Sequence, residues 1–221
     1  FASASAVEAT SLAVTDAQTF TITATGGSDT LKSFSGTVTL DATDTDTVTV
    51  KTGANDTPLE LDGAFAADNA TSLTVTTSHT DSHITFGSST IATADLLETV
   101  TVSAGGGGST ADDSDISVGA IGATVAAGVL STMTITAADG ADVTMGAIDA
   151  EGASMTKLQA DANTTGSVIT FGTIGVSTTQ ITSIGEINLS AVSGATVDLA
   201  GHIYATTIGT ITASGAGTIN M

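Results

Sequence analysis

The chain has 221 residues, 41% of them hydrophobic and 3% aromatic, with no Cys and a formal net charge of −20 from 23 acids against 3 lysines. That charge excludes nucleic acid, whose phosphates are held by cationic side chains, and disfavours an anionic membrane surface. Without Cys there are no disulfides or thiolate metal sites, and no apolar run approaches the roughly 20 residues of a membrane span.

The first stretch, FASASAVEAT, lacks an initiator Met, a basic region and an apolar signal core. Residues 1–16 read as a lead-in, and the chain as a processed product or a fragment of a longer protein. From residue 17 to 221 short apolar alternations follow one another, rich in Thr and Val and broken by Gly, Ala and Asp. A period of two, with Thr and Val dominating these segments and Gly recurring, predicts strands.

In chain order these are FTITA (20–24), VTV (48–50), LELDGAF (59–65), LTVTT (73–77) and ITFGSSTI (84–91), then LETVTVSA (97–104) and ISVGAI (116–121). LSTMTITA (130–137), VTMGAI (143–148), MTKLQADA (155–162), ITFGTI (169–174), IGEINLSA (184–191), VDLAGHI (197–203), IGTITASG (208–215) and INM (219–221) complete the set. Two kinds of segment alternate. The first is an apolar pair two residues apart that ends on a small residue. The second is an alternation followed by Gly and another apolar residue.

The first-segment anchors are Phe20, Val48, Leu73, Val100, Met133, Leu158, Ile187 and Ile211. Their unequal separations point to corner loops of variable length on a constant coil, and GGGGSTADDSD (105–115) reads as one such insertion. Antiparallel hairpins are the rival arrangement. The spacing and the absence of helix-length connections predict instead an all-β, parallel β-solenoid of about eight irregular coils, open-ended and forming a single repeat domain. Ala104, Ala137, Ala162, Ala191 and Gly119, Gly146, Gly172 and Gly185 are expected at bends too tight for larger side chains.

Arrays such as LSTMTITAADGADVTMGAI (130–148) resemble the β-solenoid repeats of bacterial S-layer proteins and of the large secreted RTX-type adhesins. The resemblance runs from about residue 17 onward and rests on composition and repeat style. It implies a calcium-stabilised lattice or an adhesive cell-surface protein. The nonapeptide calcium repeat GGxGxDxUx is absent, and GGGGSTADD (105–113) does not match it. Calcium is therefore an expectation from charge and analogy.

The candidate metal ligands are Asp41, Asp44 and Asp46 in DATDTD, Asp112, Asp113 and Asp115 in DDSD, and Asp139 with Asp142 in ADGAD. Calcium takes several oxygens, which loop carboxylates and carbonyls supply; the plainer reading is that Asp forms and solvates turns. His79, Asp81 and His83 would alternate on a strand, a spacing compatible with a transition metal, but with Ile84 and Phe86 inward His83 faces solvent, and polar side chains in water are the favoured reading. Asn55, Asn69, Asn163 and Asn188 each begin an N-x-S/T sequence that could carry glycan in a surface protein. The TxT patterns TFTIT (19–23), TVTV (47–50) and TMTIT (132–136) resemble the threonine arrays of ice-binding solenoids, but unequal coils argue against a regular lattice.

Catalysis is not expected. A polysaccharide-degrading β-helix would offer aromatic platforms and cations, and three lysines without any Trp supply neither; no GxSxG elbow occurs. The sequence favours an extracellular structural protein of a self-assembling surface layer or filament, partnered by copies of itself and by cell-surface glycan. The alternative is the stalk of a secreted adhesin.

Overall fold

The computed structural model describes residues 11–14, 18–25, 32–34, 37–40, 47–62, 65–66, 70–86, 91–93, 96–105 and 114–221. In chain order the strands are β1 (Ser11–Val14), β2 (Thr19–Ala24), β3 (Lys32–Phe34), β4 (Thr37–Leu40), β5 (Thr47–Thr52), β6 (Leu59–Leu61) and β7 (Phe65–Ala66). Next come β8 (Ser72–Thr76), β9 (Ile84–Phe86), β10 (Ile91–Thr93), β11 (Thr99–Ala104), β12 (Ile116–Val118), β13 (Ile121–Val125) and β14 (Thr132–Ala137). The last are β15 (Asp142–Met145), β16 (Ser154–Ala162), β17 (Val168–Phe171), β18 (Ile181–Ala191), β19 (Thr196–Leu199), β20 (Ala205–Ser214) and β21 (Thr218–Asn220).

Every pairing is parallel, and together the strands make three sheets around one axis. Sheet I has eight strands in the order β2-β5-β8-β11-β14-β16-β18-β20. Sheet II also has eight, from β3 through β6, β9, β12, β15, β17 and β19 to β21, and sheet III has five, β1-β4-β7-β10-β13. Isolated bridges Ile121↔Ile148, Ile148↔Ile174 and Ile174↔Ile203 carry the third side onward. The chain is an all-β, parallel β-solenoid. Among the described residues sheets I and II each stack eight rungs, and the complete turns are slightly fewer than the eight coils expected. Seven steps of ~4.8 Å set its length at ~34 Å.

The anchors read from the sequence form a single column. Phe20 pairs with Val48, Val48 with Leu73, Leu73 with Val100 and Val100 with Met133, and Met133, Leu158, Ile187 and Ile211 continue it. Alternation within each strand buries one face: Val100, Val102 and Ala104 are buried while Thr99, Thr101 and Ser103 face outward. The apolar residue closing the second segment makes a column of its own on the third side, where Phe65, Ile91, Ile121, Ile148, Ile174 and Ile203 are successive partners. Variable loop length is absorbed at corners. Residues 105–115 lie between β11 and β12, while β14 and β15 are joined by residues 138–141 alone.

The small residues lie where backbones approach most closely. Ala104, Ala137, Ala162 and Ala191 are buried strand ends stacked on one another. A Cβ on Gly172 would stand 2.9 Å from the Gly146 carbonyl carbon, and one on Gly146 would stand 2.7 Å from that of Gly119, so this corner is closed to any side chain. Gly201 continues the ladder. Gly185 sits inside β18, where two consecutive outward residues, Gly185 and Glu186, mark a bend in the strand.

Two expectations are corrected. Ser11–Val14 pairs with Thr37–Leu40, so the solenoid starts inside the stretch read as a lead-in. His79, Asp81 and His83 do not alternate on a strand: β9 begins at Ile84, and Asp81 has a left-handed φ of 51°, which interrupts extended backbone.

Two stability tests follow from these columns. Thr52 occupies the position held by Ala24 in the preceding coil, and its buried hydroxyl has no hydrogen-bond partner. An orphaned buried hydroxyl costs about 1–3 kcal/mol, so Thr52→Val is expected to raise stability by about 1 kcal/mol in urea denaturation. Gly172→Ala forces the Cβ clash and is expected to lower stability by about 1–3 kcal/mol in the same assay.

Candidate functional site

Three of the acidic candidates, Asp115, Asp139 and Asp142, lie among the described residues. Asp41, Asp44, Asp46, Asp112, Asp113 and Asn69 lie outside them. All three described carboxylates belong to the corner between sheet I and sheet II, where the chain leaves one strand ladder and enters the next.

That corner needs a residue in the left-handed region, and the sequence supplies Asp or Gly in coil after coil. Asp56, Asp81 and Asp139 have φ of 52°, 51° and 59°, and Gly166 and Gly194 take the role later with φ of 90° and 80°. Asp tolerates this conformation because its short side chain can bond to local backbone. Turn formation therefore accounts for the position of Asp139.

Asp115 and Asp142 are different, because the fold stacks them. Each immediately precedes the first inward residue of its sheet II strand, and since Ile116 pairs with Val143 the two acids occupy equivalent places in adjacent coils. The Asp142 amide donates to Asp115 Oδ1 at 3.0 Å. His83 holds the same place one coil earlier, as Ile84 pairs with Ile116. Its Nδ1 lies 3.8 Å from Asp115 Oδ2 and accepts from the Asp115 amide at 3.4 Å. His83, Asp115 and Asp142 thus form a short polar column across three coils at the rim of sheet II.

A second column, one residue earlier, holds the corner together. Ser82, Ser114 and Ser167 are buried hydroxyls. Ser82 Oγ donates to the Ala54 carbonyl at 2.8 Å, the Ser82 amide donates to Ser114 Oγ at 3.2 Å, and Ser114 Oγ donates to the His79 carbonyl at 2.6 Å. Ser167 Oγ accepts from the Gly140 amide at 3.2 Å. Each hydroxyl satisfies corner backbone groups that no ladder reaches.

Sequence reasoning singled out the acids and missed both this serine column and the His83–Asp115 pairing. The signal was present as a fixed offset: SHI (82–84), SDI (114–116), ADV (141–143) and SVI (167–169) align on the first inward residue.

Chemically, the arrangement offers two carboxylates and an imidazole, part-exposed, with the column facing solvent. Among the described residues, no three His, Cys, Asp or Glu side chains converge closely enough to hold a metal ion. Of the glycan candidates, Asn55 and Asn163 are exposed in corner segments, whereas Asn188 lies within β18 and donates to Glu186 Oε2 at 3.2 Å. Lower on the face of sheet II, burial and the adjacent Asp62 carboxylate raise the pKa of Glu60 above its ordinary value.

Two outcomes are expected. With side-chain exposures of 36% and 43%, the His83–Asp115 contact is open to solvent and weak; Asp115→Asn is expected to change stability by less than about 1 kcal/mol in urea denaturation. For Glu60, a raised folded-state pKa means that stability is lost as pH rises through the interval above the unfolded carboxylate value. Glu60→Gln is expected to leave the thermal midpoint unchanged at about pH 3, where the carboxyl is protonated folded and unfolded, and to raise it slightly at about pH 7.

Comparison of the chain with family models, with curated proteins and with solved structures gives no match.

Proposed function

We propose that this chain is a structural element of an extracellular self-assembling layer or filament. The observation that carries the reading is the unbroken register of sheet I, in which eight strands pair in parallel from Phe20 to Ile211. A ladder of this kind, with one contiguous core beneath it, makes a stiff rod that holds its faces at fixed separations. Asp56, Asp81, Asp115, Asp139 and Asp142 lie at the corner between sheets I and II, while Glu60, Asp161, Glu186 and Asp198 stand on strands, so the rod carries charge at a corner that a neighbouring copy could approach.

Assembly of copies must overcome the repulsion of a −20 chain. Calcium bridging acidic corners between coils or between subunits would remove much of that repulsion. The stacked Asp115 and Asp142 are one such place, with ligands from a neighbouring copy needed to complete the coordination. The same rod would also serve as the stalk of a secreted adhesin.

Negative-stain electron microscopy of the purified chain separates the two. Ordered sheets or filaments are expected with millimolar calcium and their dissolution with excess chelator. Isolated short rods in both conditions would defeat the layer reading in favour of the stalk. A lattice that chelator leaves intact would remove calcium from it.

A further inference from the structure

The outer face of sheet I carries an arrangement that a structural role does not require. Five consecutive strands, β2, β5, β8, β11 and β14, each present three outward residues, and their register aligns these into three columns. The first is Thr19, Thr47, Ser72, Thr99 and Thr132. The second is Thr21, Thr49, Thr74, Thr101 and Thr134, Thr at every rung. The third is Thr23, Lys51, Thr76, Ser103 and Thr136. All but Lys51 are Thr or Ser, on a protein with 23 acids.

From the chain alone, unequal coil lengths argued against a regular surface. The structure locates that inequality in the corners. Within the array every rung pairs residue for residue with the next, with no bulge in these ladders. Hydroxyls therefore repeat at ~4.8 Å across strands and ~6.6 Å along them. Thr is branched at Cβ and held to few χ1 states, more so when flanked by its own equivalents above and below. The face is thus a two-dimensional grid of hydroxyls and methyls, already ordered before anything binds.

We propose that this grid binds ice. The spacing across strands lies close to an oxygen repeat of hexagonal ice, so hydroxyls of one column can approach lattice positions while methyls order the water between them. Charge points to the same occupant: an uncharged lattice suits a face whose one charge is Lys51 in its outer column, and beyond the array charges become frequent, at Lys157 and Asp161 in β16 and Glu186 in β18. Crystalline polysaccharide is the less suited flat partner, since sugar faces are met by aromatic platforms, and the outward positions of these five strands hold no aromatic side chain. Because the grid is pre-ordered, little conformational entropy is lost on binding.

The test is partition of the purified 221-residue chain into a slowly growing ice shell, read against a globular control of similar charge. The chain is expected in the ice fraction at roughly tenfold over the control. Thr101→Lys places a charge at the centre of the grid, where contact with ice would desolvate it, and is expected to return partition to the control level. Thr144→Lys, outward on β15 in sheet II, is expected to keep full partition, with both variants retaining the wild-type circular dichroism spectrum. Should Thr101→Lys fail to fold, Thr101→Val removes the hydroxyl without changing shape and is expected to reduce partition several-fold.

Wild-type partition equal to the control overturns the proposal, as does equal loss in Thr101→Lys and Thr144→Lys. Binding to crystalline cellulose or chitin without ice enrichment, abolished by Thr101→Lys, would assign the face to polysaccharide. A concentration-dependent dimer abolished by the same change would assign it to a second copy.

Discussion

Residue-for-residue parallel register is the constraint on which everything else in this molecule depends. Once β2 pairs with β5 without a slip, each side chain has its own equivalent as its nearest neighbour in the coils above and below. Like then packs on like. Isoleucine stacks on isoleucine along the third side, alanine on alanine at the ends of the sheet I strands, and glycine on glycine at the corner after sheet II. The core is thin because each coil contributes few inward side chains, and it is continuous because no coil breaks the columns. Aliphatic residues fill it almost alone, with Phe86 and Phe171 its largest fully buried members.

The same constraint distributes polarity. A carboxylate in a strand column would meet a like carboxylate one coil away, at a spacing where repulsion is appreciable. The acids that do stand in strand columns have uncharged or cationic partners, Asp161 between Thr136 and Ser190 and Glu186 between Lys157 and Thr210, while others lie at corners. Asp56, Asp81 and Asp139 accordingly sit in left-handed turns, and where Asp115 and Asp142 do stack, His83 and a backbone amide meet the Asp115 carboxylate. Apart from Lys51, uncharged Thr and Ser occupy the flat outward columns of five coils, so the acidic composition and the nearly neutral grid are products of one geometry.

Much of this was legible in the residues. The apolar pair two apart fixed the inward face, and the anchor positions alone placed all eight rungs of sheet I in their observed register. The glycine after the second segments predicted a corner, whereas the column made by the apolar residue beyond it emerged only once the coils were aligned. The third sheet was harder to see, because strands as short as Phe65–Ala66 leave no measurable alternation, and in later coils the side is held by single bridges at Ile148, Ile174 and Ile203. Ser11–Val14 was missed for a related reason: four residues of weak pattern become a strand only once Thr37–Leu40 lies beside them. The His83–Asp115 contact joins residues from successive coils, and no local pattern encodes such a contact until the coils are aligned.

The glycine ladder has a consequence for descent. Gly146 leaves no room because Gly119 is beneath it, Gly172 leaves none because Gly146 is beneath it, and Gly201 stands in the same relation to Gly172. A single substitution therefore meets a neighbour that has not changed. Copying a whole coil raises no such conflict, since the duplicate brings its own glycine and fits both faces it contacts. A lineage built this way would grow and shrink by whole turns more readily than it would drift at the ladder, its loops diverging while the ladder stays fixed.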